Sequence, residues 1–130
     1  MVSALLSSGA PSKIISELLF ERKIELQLSK EIFFEYVAVL SRPKFSKIPN
    51  FLINAEIVLS RIEELAIHTQ PKEKLNIISD EPDNRFLELA MASQADYLIT
   101  GNWNDFKLDE IGKTIILSPG DYWNFHRPKE

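Results

Sequence analysis

The 130-residue sequence is 45% hydrophobic and 26% charged, an ordinary globular composition that argues against disorder and suffices for one domain with a core. It contains no Cys, which excludes disulfides and thiolate metal sites and fits a reducing, cytoplasmic setting. The net charge of −4 argues against a general nucleic-acid coat. No apolar run approaches the ~20 residues of a membrane span, and Met1–Ser8 lacks a basic leader.

Pro11 suits a helix start, and Ile14, Ile15, Leu18 and Leu19 form a stripe, so Ser12–Lys23 is predicted as a helix. Ile24–Leu28 alternates apolar and polar, as a short strand does. Ser29 is the expected N-cap of a helix running to about Ser41 and ended by Pro43, with Ile32, Phe33, Tyr36, Val37 and Leu40 as its core face. Arg42–Pro49 reads as a polar loop. Asn50 is the expected cap of helix Phe51–Leu65, whose stripe includes Leu52, Ala55, Ile57, Leu59 and Ile62. Ala66–Thr69 and Leu75–Ile78 read as further short apolar runs. Asp83–Gln94 is a helix, with Asp80 as cap and Pro82 at its first position. Tyr97–Thr100 and Thr114–Leu117 are compact strands of buried type, and Ser118-Pro119 opens a last helical turn through Trp123. Helices alternating with short apolar strands predict one α/β domain over residues 1–130, a three-layer sandwich with a mostly parallel central sheet flanked by helices.

In such a sheet, helix starts and strand ends share one edge, so acids distant in sequence gather in space. Glu35 borders the apolar face of its helix, whereas Glu31, one turn earlier, is plain first-turn negative charge. Asp83 lies in the first turn of its helix, three and four residues before Phe86 and Leu87, and leans over the core stripe. Asn102 and Asp105 follow Thr100-Gly101 at a strand end. Each has a simpler reading: a solvated edge residue for Glu35, a helix-dipole acid for Asp83, a turn for Asn102 and Asp105. His68 and His126 are isolated, which argues against zinc. There is no Gly-rich phosphate loop and no nucleophile elbow.

Taken together, these residues resemble a PIN domain, in particular the small prokaryotic subfamily of toxin components in toxin–antitoxin systems. The resemblance runs through Val2-Ser3-Ala4-Leu5-Leu6-Ser7, Leu28-Ser29, Glu35-Tyr36 and Val39-Leu40-Ser41-Arg42-Pro43-Lys44-Phe45. Its most specific part is Asp83-Asn84-Arg85-Phe86-Leu87-Glu88-Leu89-Ala90 with Ala95-Asp96-Tyr97-Leu98-Ile99-Thr100-Gly101-Asn102. The order and spacing of the pieces carry the match.

The resemblance implies a Mg²⁺- or Mn²⁺-dependent endoribonuclease that hydrolyses RNA phosphodiester bonds. Hard cations prefer oxygen ligands, and a bound metal lowers the pKa of its water. By position, Glu35 matches the family's helix acid, Asp83 its third acid and Asp105 a further acid. Asn102 stands where many members have Asp; it ligates through its carbonyl but brings no charge. Glu35, Asp83 and Asp105 are thus the implied catalytic residues, joined by Asn102 as metal ligands, with Arg42, Lys44 and Lys47 as RNA-phosphate contacts; for these three the simpler reading is a solvated loop. Members usually begin with an apolar strand ending in Asp-Thr-Asn, just before the residues matched here by Met1–Leu6. The first strand and first acidic ligand are therefore expected to be missing, which would leave a gap at the centre of the sheet. The alternative is a non-catalytic PIN-like module that binds RNA or protein. An antitoxin at the acidic cleft is the implied partner; apolar helix surface around Ile14, Leu18 or Trp123 would serve a homodimer, although core packing is the simpler use of these residues.

Overall fold

Val2-Ser3-Ala4-Leu5-Leu6 forms strand β1, and Ala4 and Leu5 within it are fully buried. A strand covered on both faces belongs inside a parallel sheet, and β1 lies third in a six-stranded sheet of order β3-β2-β1-β4-β6-β5. The computed structural model of the chain describes residues 2–7, 24–41, 50–78, 81–101, 106 and 108–126. In chain order β1 is followed by β2 (Ile24–Leu28), α1 (Lys30–Leu40), α2 (Phe51–Leu65), β3 (Ile67–His68), α3 (Glu81–Ser93), β4 (Tyr97–Ile99), β5 (Glu110–Ile111) and β6 (Thr114–Leu117). A short helix, α4 (Pro119–Asp121), continues as π-helical turns over Tyr122–His126. All strand pairs are parallel except β5 with β6. The α/β sandwich expected from the sequence is therefore the fold.

The expected central gap is not there. Val2–Leu6 itself pairs with β2 on one side and β4 on the other, setting Ala4 opposite Leu26 and Leu5 opposite Leu98. Two bonds to one residue fix its start: the Asp96 amide donates to Ser3 O at 2.8 Å, and the Ser3 amide donates to Asp96 Oδ2 at 2.9 Å. Beside them the Gln27 amide donates to Ser3 Oγ at 2.9 Å, and the Thr69 hydroxyl to Gln27 Oε1 at 3.3 Å. This polar chain crosses β1, β2 and the end of β3, giving the buried Gln27 side chain the partners it needs.

The sheet separates two apolar clusters. Leu5, Leu28, Leu98 and Ile116 pack with Ile32 of α1 and with Phe86, Leu87, Leu89 and Ala90 of α3. On the other cluster Ala4, Leu6, Ile24, Leu26 and Ile99 meet Tyr122, with Val58, Leu65 and Trp123 packed alongside. Tyr97 and Tyr122 make an edge-to-face pair, centroids 5.6 Å apart. Trp123 is half-buried against this cluster, the core packing that is the simpler of its two expected uses. Ile62 and Ala66 touch both clusters.

Several expectations need correcting. The buried stripe of α2 runs Ala55, Val58, Ile62, Leu65, while Ile57 is 59% exposed because it falls out of phase with that 3.6-residue repeat. Asn50 sits at the cap position in a left-handed conformation and makes no side-chain cap bond; its carbonyl accepts the Asn54 amide at 3.1 Å. Leu75–Ile78 is not a strand, because side chains of α3 take its amides. Helix α3 begins at Glu81, two residues before the expected Asp83, and β5 was not foreseen at all. The predicted helix Ser12–Lys23, the loop Arg42–Pro49 and the cap Asp80 lie outside the described residues.

The β5–β6 turn contains Gly112 at φ +57°, where an added Cβ would stand 2.9 Å from the Met91 sulfur. Met91 is exposed and flexible, so the backbone strain dominates. Gly112→Ala is expected to cost about 1 kcal/mol, read as a fall of a few degrees in the thermal midpoint, with Gly112→Asn costing less.

Candidate functional site

Every parallel strand ends on a hydroxyl residue: Ser7 after β1, Ser29 after β2, Thr69 after β3, Thr100 after β4 and Ser118 after β6. Two of these hydroxyls start helices. Ser29 Oγ accepts the Ile32 amide at 3.2 Å, and Ser118 Oγ accepts the Asp121 amide at 3.1 Å. Helix α1 therefore leaves from this edge, and Glu35 lies ~8 Å along its axis from the cap. The Tyr36 hydroxyl donates to Leu6 O at 2.6 Å, tying that turn of α1 to the end of the central strand. Burial pushes the Tyr36 hydroxyl well above its usual pKa, so it stays a donor at any working pH. Helix α3 runs toward the start of β4, so its first turn, with Asp83, returns to the same edge. Glu35 and Asp83 are both half-buried there, whereas Glu31 is exposed.

The motif around Asp83 also holds residues whose role the sequence did not disclose. Asn84, 1% exposed, accepts the Ile77 and Ile78 amides through Oδ1 at 3.1 and 3.0 Å and donates to Ile78 O at 2.8 Å. Glu88 accepts the Leu75 amide at 2.8 Å and pairs with Arg85 at 3.0 Å, while Arg85 reaches Leu75 O at 3.4 Å. One face of α3 thus clamps the backbone of 75–78 in place beneath Asp83. The available signal was a pair of polar residues, Asn84 and Glu88, at i and i+4 among apolar neighbours.

Glu31 accepts the Gln70 amide at 3.0 and 3.2 Å. Its own backbone amide, then Gln70, hold its carboxyl below the ordinary carboxylate range. A depressed folded-state pKa means that this contribution to stability is full above the unfolded value and is lost as pH falls through the folded one. Gln70→Ala is expected to raise the Glu31 pKa toward the ordinary value in a carboxyl NMR titration.

Oxygen donors on separate elements suit a hard divalent cation in kind. Glu35 and Asp83 supply two carboxylates, and no group of three or more His, Cys, Asp or Glu able to hold a metal occurs among the described residues. Asn102, Asp105, Arg42, Lys44 and Lys47 lie outside them. The central strand ends in Ser7, a buried neutral hydroxyl. His68, by contrast, is held through Nε2 to Glu63 O at 2.8 Å, on the far side of α1.

Residues 1–104 match the family model described as PIN domain. The chain belongs to the PIN domain family. PIN domains are generally nucleases, usually use divalent metal ions and commonly bind RNA. The match takes in Glu35, Arg42, Lys44, Lys47, Asp83 and Asn102 and stops one residue short of Asp105. The chain is also similar to the uncharacterized protein MJ1680 of Methanocaldococcus jannaschii, with 31% identity over 118 residues, covering 90% of this chain and 75% of that protein. No solved structure matches. Among the described residues of this PIN domain, no helix is long and apolar enough to cross a membrane.

Proposed function

We propose that this PIN domain is a metal-dependent endoribonuclease of the toxin type, with Glu35, Asp83 and Asp105 as its catalytic acids and Asn102 as a neutral ligand. The reading is supported above all by topology: the helices that carry Glu35 and Asp83 both begin at the edge of a PIN fold where the parallel strands end. A bound Mg²⁺ or Mn²⁺ would supply a water of lowered pKa and positive charge for the developing negative charge on phosphorus. The protein's own part is to position oxygens. Glu35 lies in the turn that Tyr36 ties to β1, and Asp83 precedes Asn84, which with Arg85 and Glu88 joins this helix to the 75–78 backbone. Arg42, Lys44 and Lys47 would then hold RNA phosphates beside the acids. This reading brings with it a cytoplasmic location, a cognate antitoxin at the edge and a homodimer.

A second reading, a non-catalytic module that binds RNA or protein, is favoured by Asn102 in place of an acid and by the Ser7 end of β1. Incubating the protein with a single-stranded RNA and Mn²⁺, with an EDTA control, separates the two. Internal cleavage that needs the metal is expected. RNA bound but recovered intact would transfer the case to the second reading.

A further inference from the structure

A cavity of about 280 Å³ opens between the start of α1 and strand β3. Its lining combines the apolar Leu28 and Phe33 with the polar Ser29, His68, Thr69 and Gln70. We propose that this cavity takes one nucleobase of a single-stranded RNA whose backbone continues along the strand edge to Glu35 and Asp83. The inference rests on the nuclease reading and gives its substrate a base-binding subsite.

Size and chemistry both favour a base. The volume lies near the lower end of small-molecule pockets, which suits one planar ring system better than a folded peptide. Phe33 is half-buried and offers an aromatic face, on which any base can stack. Around it the polar groups are already oriented by internal bonds. Ser29 Oγ accepts the Ile32 amide and its hydroxyl donates to the Glu31 carboxylate, so it is fixed on both sides. The Thr69 hydroxyl donates to Gln27, which leaves its lone pairs. The Gln70 amide nitrogen is committed to Glu31, which leaves its carbonyl oxygen. His68 Nε2 faces the Glu63 carbonyl, which selects the Nε2–H tautomer and leaves Nδ1 as an acceptor. The lining therefore presents fixed acceptors on Thr69, Gln70 and His68, which can take the N–H groups on the edge of a base.

Position links the cavity to the acids. Phe33 and Glu35 flank the core-facing stripe of α1 on opposite sides, because two helical residues separate them by ~200°. The cavity lies toward β3, and the acids toward β1 and β4, a displacement of about two strand spacings, ~10 Å, which a neighbouring nucleotide spans. Between them stands Lys30, whose ammonium favours a phosphate and offsets the Glu31 carboxylate, which keeps its charge in its bonds to its own amide and to Gln70.

The test is fluorescence anisotropy in EDTA, comparing labelled hexauridylate with an abasic ribose-phosphate hexamer of the same length. Because no divalent ion is present, the outcome does not depend on whether the protein cleaves RNA. The wild-type protein is expected to bind the base-bearing oligomer at least about fivefold more tightly. Phe33→Leu should remove most of that difference, and so should Gln70→Ala, an exposed position whose change spares the core. Equal binding of the two oligomers by the wild-type protein would overturn the proposal. So would a full base-dependent difference retained by Gln70→Ala together with any Phe33→Leu protein that shows the wild-type circular dichroism spectrum.

Discussion

Asn84→Ala is expected to lower the unfolding free energy by about 3 kcal/mol and the thermal midpoint by roughly 10 °C. The substitution removes three hydrogen bonds at a side chain that is 1% exposed. Part of the cost comes from what remains, because the amides of Ile77 and Ile78 and the Ile78 carbonyl lose a partner at bonds that are only partly open to water. Asn84→Asp keeps an acceptor for the two amides and gives up only the donor, so a smaller loss is expected. Thermal unfolding followed by circular dichroism ranks wild type, Asp and Ala in that order. A midpoint for the Ala variant within a degree or two of wild type would mean that 75–78 is not held by this helix.

The second large effect concerns activity. Asp83→Asn and Glu35→Gln are each expected to reduce metal-dependent RNA cleavage by about a hundredfold or more, the scale on which losing one preorganised electrostatic group acts. Circular dichroism of both variants in EDTA, compared with wild type, separates a loss of cation binding from a loss of fold. Glu56→Gln, on the exposed face of α2, is the control and should cleave as wild type does. Equal loss in all three would point to a general effect of charge.

Much of the fold was legible because its apolar periods are clean. Ile24–Leu28, the Ile32–Tyr36 face and Thr114–Leu117 each carry a pattern that only one element satisfies, and each forms that element. Leu75–Ile78 was misread for a physical reason. Its apolar residues resemble a strand, but its amides are taken by Asn84 and Glu88, and a period count does not register where a backbone amide finds its partner. β1 escaped notice because the family resemblance assigned Val2–Leu6 to the residues after a central strand. Read by burial alone, the same five residues are apolar enough to be that strand, and Asp96 pins them there. β5 is two residues long and owes its existence to the turn at Gly112.

Less of the candidate site was legible. Glu35 and Asp83 stand out in the sequence because each borders an apolar helical stripe, and topology puts the starts of their helices at one strand edge. The clamp residues were not singled out, since polar side chains inside a helix usually face water, and only the coordinates show these turned toward the 75–78 backbone.

The most direct measurement is isothermal titration calorimetry of Mn²⁺ into the wild-type protein and into Glu35→Gln and Asp83→Asn. Saturable binding by the wild type, weakened at least about tenfold in each variant, is the predicted result. Absence of saturable binding to the wild type, or the same affinity in all three proteins, would contradict a cation site built on these two acids.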